Sequence, residues 1–271
     1  MGQFDGKVAF ITGAGRGQGR SHAVALAAEG ADVALLDLAS VAELEHPAYE
    51  TASSEDLAET KRLVEEQGAK ALTFEVDVRD WEGQKAAADQ TAATLGGIDY
   101  VIANAGISDG FFPIWDLPVE NWNTMIDINL TGVFYTCKAT VPHVRERGRG
   151  GAYVLISSIV AMKAYGWLSH YVAAKTAVRG LSLSMAKELG PEGIRCNSLH
   201  PGAINTEMTA MMTKLGGVPT EDLLKQFRDA QLIAENIEIR DSTAAVLWLL
   251  SDQARMVTGL EMSVDAGESK K

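Results

Sequence analysis

The stretch that most constrains the fold is Lys7-Val-Ala-Phe-Ile-Thr12, followed at once by Gly13-Ala-Gly-Arg-Gly-Gln-Gly19 and an Ala-rich segment from about Ser21 to Glu29. A short apolar β-rich run, a glycine turn and a helix in that order predict one βα unit of a parallel sheet. Glycines permit positive φ and close backbone approach, and the free N–H groups at a helix start suit a pyrophosphate. The pattern is Thr-Gly-x-x-x-Gly-x-Gly over Thr12, Gly13, Gly17 and Gly19. It is not Gly-x-Gly-x-x-Gly, because Gln18 stands where that fingerprint needs its last glycine.

The next apolar run, Ala31-Asp-Val-Ala-Leu-Leu-Asp37, ends in an acidic residue about twenty positions beyond the glycines. A carboxylate there can accept from the ribose hydroxyls of NAD and repel the 2′-phosphate of NADP. Arg16, inside the glycine turn, points the other way, because a guanidinium can pair with that phosphate. No basic residue follows Asp37, and Leu38 and Ala39 offer a phosphate nothing, so NAD is the expected cofactor and NADP the alternative.

Further apolar runs continue the alternation. Ala71–Val76 is the expected third strand, with Asp77 and Val78 at its end, where Asp77 could accept from an adenine amine. Ile98–Ala103 is the fourth, followed by Asn104-Ala-Gly106. Small residues there allow close cofactor approach, and Asn104 can tie adjacent strand ends together. Asn129 lies in a helix starting near Glu120. Arg195–Leu199, the sixth strand, leads through His200 to Pro201, Gly202, Ile204 and Thr206, the last two placed to hold a nicotinamide carboxamide. A helix over Ser242–Leu250 and a strand over Leu260–Val264 close the chain. Alternating βα units imply a single α/β domain over 1–271, a Rossmann-like doubly wound parallel sheet with helices on both faces.

The fifth apolar run, Ala152–Ile156, delivers Ser158 to a strand's carboxyl end, and thirteen residues later comes Tyr171-Val-Ala-Ala-Lys175. On a helix, Tyr171 and Lys175 leave one face a turn apart. A phenol near pKa ~10 is a poor base at neutral pH, and a neighbouring ammonium favours the phenolate. A Tyr-x-x-x-Lys pair alone is commonly a half-buried ring beside a snorkelling amine. Its place after Ser158 and the nucleotide-type units marks it as the reactive centre. Asn129 could be satisfied structurally or could hold a water against Lys175.

Two segments stand outside this frame. The connection over 38–54, with His46 and Pro47, is long for a strand-to-helix loop and reads as a surface insertion or a flap over the adenosine half. Met208, Met211, Met212 and Leu215 give a flexible apolar segment, expected to act as a substrate lid over about 203–220. Phe111, Phe112 and Trp115 either pack a loop onto the body or line a substrate pocket.

A net charge of −12 disfavours nucleic acid and anionic membranes as partners and suits a small neutral substrate. Cys137 and Cys196 lie in apolar contexts, and the five histidines show no ligand spacing, so buried free thiols and no metal are expected. Without a long apolar segment, a cytoplasmic protein is expected.

With these motifs in order, the chain resembles the short-chain dehydrogenase/reductase family over essentially its whole length. The resemblance implies Tyr171 as acid/base, Ser158 as partner of the substrate oxygen, Lys175 as Tyr171's pKa-lowering neighbour and ribose anchor, and Asn129 as water holder. It also implies a homotetramer. Arg16-Gly-Gln-Gly-Arg-Ser-His-Ala23 and the long connection are similar to the mycofactocin-linked, carveol-dehydrogenase-like subgroup, in which NAD stays tightly bound while an external redox carrier removes the electrons. The connection lacks a Cys familiar in that subgroup, and Pro201-Gly-Ala-Ile204 replaces a Pro-Thr-Gly form. The expected activity is NAD-dependent interconversion of an apolar, alicyclic or terpenoid-like secondary alcohol and its ketone. The alternatives are an NADP-dependent ketone or 3-oxoacyl reductase, and a non-catalytic nucleotide-binding protein.

Overall fold

A computed structural model describes residues 2–39, 51–210 and 219–271. The chain alternates β1 (Val8–Thr12), α1 (Gly17–Ala28), β2 (Asp32–Asp37), α2 (Ser54–Glu66), β3 (Ala71–Glu75), α3 (Trp81–Leu95) and β4 (Tyr100–Ala103). It continues with α4 (Val119–Ile126), a π turn (Asp127–Thr131), α5 (Gly132–Glu146), β5 (Gly151–Ile156), α6 (Ser169–Leu189) and β6 (Ile194–Pro201). It closes with α7 (Thr220–Ala230), α8 (Ile239–Leu250) and β7 (Glu261–Val264).

The strands form one seven-stranded sheet in the order β3-β2-β1-β4-β5-β6-β7. Every neighbouring pair is parallel. The inner strands are apolar on both faces because helices cover both. Phe10, Val101, Ala103, Tyr153 and Leu155 face α3, α5 and α6. The alternate residues Ala9, Ile11, Ile102, Val154 and Ile156 face α1, α2 and α8. Full burial of each large side chain among these contributes roughly 1.5–3 kcal/mol.

Chain order reverses at β1, which lies between β2 and β4. The βα connections therefore diverge there and open a crevice at the carboxyl ends of the strands, where open α/β sheets bind ligands. The expected elements are present, with shifted ends. Helix α1 starts at Gly17, not near Ser21, so the last two glycines already belong to its first turn. Strand β6 runs on through His200 and Pro201, because Leu199, His200 and Pro201 pair with Met262, Ser263 and Val264 of β7. The expected single helix from Glu120 is interrupted by the π turn that contains Asn129, a distortion that often marks functional sites.

Residues 40–50 of the long connection, including His46 and Pro47, lie outside the described residues. So do 211–218, with Met211, Met212 and Leu215. The described end of the first segment returns through Ser53, which caps α2 by accepting from Asp56 N while the Asp56 side chain takes Ser53 N.

Candidate active site

Two adjoining cavities open at the carboxyl ends of the strands. The first is lined by Gly13, Arg16, Gly17, Gln18 and Asp37 on one side. Asp77, Val78, Asn104, Ala105 and Gly106 line the other. Gly13 and Gly17 have φ of +66° and +55°, which only glycine adopts freely. A methyl group on Gly15 would stand 2.7 Å from Ala52 Cβ and 3.0 Å from Asp37 Oδ2. No side-chain hydrogen bond caps α1, and its first turn carries no acidic residue. Its free N–H groups and positive dipole end therefore face the cavity, a cradle for a diphosphate.

Asp37 Oδ2 accepts from Gly15 N at 2.8 Å. Burial raises the Asp37 pKa, against the pull of the Gly15, Ala39 and Leu38 N–H groups and the Arg16 charge. Asp77 lies on the cavity wall, with a partner that sequence reading missed. Arg79 Nε meets Asp77 Oδ2 at 2.9 Å and Arg79 Nη2 meets it at 2.5 Å, so the carboxylate is shared with a guanidinium.

Two expected cofactor ligands stand behind the wall. Thr12 is buried, and its Oγ1 accepts from Asn104 N and Ala105 N, each at 3.1 Å. Asn104 Nδ2 returns to Thr12 O at 3.0 Å and Gly13 O at 3.1 Å. This clasp joins the ends of β1 and β4, the structural half of the two roles expected for Asn104. Gly19 is also buried, and a Cβ there would sit 2.0 Å from Gly13 O. Its freedom from a side chain lets α1 press against the turn. Gln18 lines both cavities and is steadied by Ser242, whose Oγ donates to Gln18 Oε1 at 2.6 Å.

The second cavity, about 410 Å³, holds Ser158, Tyr171 and Lys175 together with Pro201, Gly202, Ile204 and Thr206. Ser158 follows β5 by two residues and caps a short 3₁₀ turn, Ile159–Ala161, accepting from Val160 N at 3.3 Å. His200 sits behind it, with Nδ1 3.1 Å from Ser158 O and Nε2 2.9 Å from Ser198 Oγ. Tyr171 lies in the first turn of α6, and Lys175 Nζ is 5.8 Å from its ring centre. Lys175 is buried and donates to Ile156 O at 3.1 Å. Ser157 Oγ donates to Lys175 O at 2.8 Å, fastening the end of β5 to α6. Burial lowers the Lys175 pKa to about 8, so the amine is still mostly charged near neutral pH.

Asn129 Oδ1 accepts from Ile107 N at 3.2 Å, and its Nδ2 donates to Ile107 O at 3.1 Å and Met125 O at 3.2 Å. A Cβ on Gly106 would meet Asn129 Oδ1 at 2.6 Å and Lys175 Nζ at 3.1 Å. Glycine at 106 is therefore what leaves room for both side chains. The structural use of Asn129 engages both its oxygen and its nitrogen.

Ile204 is buried, pairs with Ile237, and its carbonyl accepts from Thr209 Oγ1 at 2.5 Å. The aromatic cluster divides. Phe111 lines the second cavity, Phe112 packs edge-on against His170, and Trp115 is 79% exposed. Sequence reading also missed a buried network in which Asp109 joins His170 Nε2 to Asn121 Nδ2. It holds the loop after β4 against the residue preceding Tyr171. Cys137 and Cys196 are buried free thiols, as expected, and burial pushes both upward in pKa. Among the described residues no group of His, Cys, Asp or Glu is arranged for a metal ion, and no helix is long and apolar enough to cross a membrane.

A diphosphate cradle at the sheet's switch point, beside a Ser, Tyr and Lys cavity, defines the class as a dinucleotide-binding α/β oxidoreductase. A family model described as enoyl-(acyl carrier protein) reductase matches residues 13–269. A short-chain type dehydrogenase/reductase of Mycolicibacterium smegmatis is 43% identical over 100% of this chain and 99% of its own. The (-)-trans-carveol dehydrogenase of Rhodococcus erythropolis is also 43% identical, over 100% of both chains. Among solved structures, carveol dehydrogenase from Mycobacterium avium in complex with NAD superposes with a TM-score of 0.95 at 42% identity, covering 100% of both chains. The chain belongs to the short-chain dehydrogenase/reductase family and is an enzyme of the alcohol dehydrogenase/reductase type.

Proposed function

We propose that the protein uses NAD to interconvert an alicyclic secondary alcohol and its ketone. The observation that carries this reading is the common cavity of Ser158, Tyr171 and Lys175, adjoining the glycine cradle. Gly13, Gly17 and the start of α1 would hold the diphosphate, and Asp37 would take a ribose hydroxyl and disfavour a 2′-phosphate. Asp77 and Val78 would flank the adenine, and Ile204 and Thr206 the carboxamide. When bound, NAD supplies the hydride acceptor or donor.

In the oxidising direction Tyr171, as phenolate, takes the hydroxyl proton while Ser158 donates to the substrate oxygen. Lys175 stabilises the phenolate and would hold the nicotinamide ribose, and Asn129 would support it by holding a water. The apolar wall of the second cavity and the carveol-named relatives support a cyclic, largely hydrocarbon substrate. The described start of the 203–220 segment contributes to its lid, a reading supported by Met208 on the walls of both cavities.

A homotetramer is supported by exposed Phe134, Leu183, Met256 and Leu260, and sedimentation of the purified protein tests it. The protein works in the cytoplasm. Its NAD stays bound, with an external carrier of the mycofactocin type removing the electrons.

Carveol added to the protein as purified, with no nucleotide supplied, tests both points. A reduced-nicotinamide band that rises to about one equivalent and stops supports substrate class and retention together. A rise only after NAD is added keeps the dehydrogenase and refutes retention. A rise only with NADP refutes the cofactor assignment.

A further inference from the structure

The substrate cavity carries a second polar feature that the proton transfer does not use. Tyr165, in the loop before α6, and Glu268, in the last turn of the chain, both line it. The Tyr165 hydroxyl donates to Glu268 Oε1, joining residues 103 positions apart. Glu268 is only 4% exposed. Among the described residues nothing donates to its Oε2, and none of the ion pairs includes it. The nearby Lys163 Nζ goes instead to the Glu268 backbone oxygen, at 3.4 Å. Burial and the adjacent carboxylate hold the Tyr165 phenol protonated, well above its ordinary pKa.

Glu268 Oε2 is not sealed inside the protein and takes no donor among the described residues, so it opens onto the cavity, where a ligand's hydroxyl can reach it. The position is informative too. Ser158 follows β5 and Glu268 follows β7, two strand spacings away, roughly 10 Å along the sheet edge. Phe111, Ile159, Leu168, Ile204 and Phe227 supply apolar wall in the same cavity.

We infer that Tyr165 and Glu268 form a second polar subsite, which takes a hydroxyl group on the substrate remote from the carbinol carbon and excludes a carboxylate there. The substrate class narrows accordingly, from a plain cyclic alcohol to a cyclic secondary alcohol bearing a second, distal hydroxyl. This rests on the reading of the cavity as an alcohol site. Glu268 Oε2 accepts from the distal hydroxyl, while Tyr165 fixes the carboxylate's orientation through Oε1. An anionic substituent would meet Glu268 with no cation between them.

The test compares trans-4-(hydroxymethyl)cyclohexanol, trans-4-ethylcyclohexanol and trans-4-hydroxycyclohexanecarboxylate with the wild type, Glu268→Gln and Tyr165→Phe. Both kcat/KM and calorimetric Kd with NAD-saturated protein are measured. Glu268→Gln keeps an acceptor for Tyr165 but turns a donor toward the cavity. It is expected to lower the hydroxymethyl-over-ethyl preference about ten-fold, and to raise use of the carboxylate by a similar factor. Tyr165→Phe, which leaves the charge in place, is expected to keep the rejection of the carboxylate. Preferences that stay the same in Glu268→Gln, by rate and by Kd, would overturn the subsite. If the wild type turned over none of the three while the Kd ratio still depended on Glu268, the dehydrogenase reading would fail and the subsite would stand.

Discussion

The two cavities are built in different ways. The nucleotide side is made of strand ends and turns that follow one another at short range, and much of it is backbone. The Thr12–Asn104 clasp, the positive-φ glycines and the start of α1, which no side chain caps, leave N–H groups facing that cavity. The substrate side draws side chains from the loops after β4, β5, β6 and β7 and from α7. It holds a buried ammonium and a nearly buried carboxylate, and a buried Asp109–His170 pair braces the loop behind it. Backbone cradles tolerate sequence change as long as the turns form. A cavity of charged side chains sets chemistry and specificity at the cost of stability.

The sharpest way to separate the two sides is Tyr171→Phe. Loss of the acid/base group is expected to cut kcat about 1,000-fold, equivalent to about 4 kcal/mol of barrier. The Kd for NAD should stay within about two-fold, the cradle being untouched. A variant that lost NAD binding to the same degree would show that the two sides do not work independently.

Lys175→Met probes the stability cost. The folded-state pKa of Lys175, about 8, lies below the ordinary 10.5. Between those values the unfolded chain binds more protons, so stability rises with pH across that window. Unfolding free energies of wild type and Lys175→Met are expected to diverge by about 3 kcal/mol from pH 8 to 10.5, in favour of the wild type. Parallel curves would contradict burial of the charge.

On the nucleotide side, Gly19→Ala places a methyl group 2.0 Å from Gly13 O. It is expected to cost about 1–3 kcal/mol of stability, read as a lower melting temperature, together with weakened NAD binding. An unchanged melting temperature would mean that α1 does not press on the turn. Arg79→Ala should have the smallest effect. Its pair with Asp77 is partly exposed, with side chains 39% and 25% accessible, and such pairs contribute about 0–1 kcal/mol. A change in NAD affinity above ten-fold would instead make Arg79 part of the cradle.

The same division explains what could be read from sequence. Asp37, the glycine turn and Tyr171 with Lys175 carry fixed local spacing, and each stands where the strand pattern puts it. Thr12 and Gly19 were recognisable as part of the motif, while their tasks, bracing β4 and admitting α1, depend on contacts between separate units. The π turn at Asn129 has no Gly or Pro to announce it. Asp109 with His170 and Tyr165 with Glu268 meet across 61 and 103 residues. No periodicity marks such pairs, because loop ends converge only after the sheet has formed.

The proposed reaction is hydride transfer between a cyclic secondary alcohol and NAD in the cavity of Tyr171. The most direct measurement is a single turnover of the NAD-loaded protein with carveol bearing hydrogen or deuterium at the carbinol carbon, followed at the reduced-nicotinamide band. A rise that slows by a factor of about two or more with deuterium, and that vanishes on the same time scale in Tyr171→Phe, is the predicted result. No rise with carveol, its ketone or simple cyclohexanols, in protein that binds NAD, would contradict it.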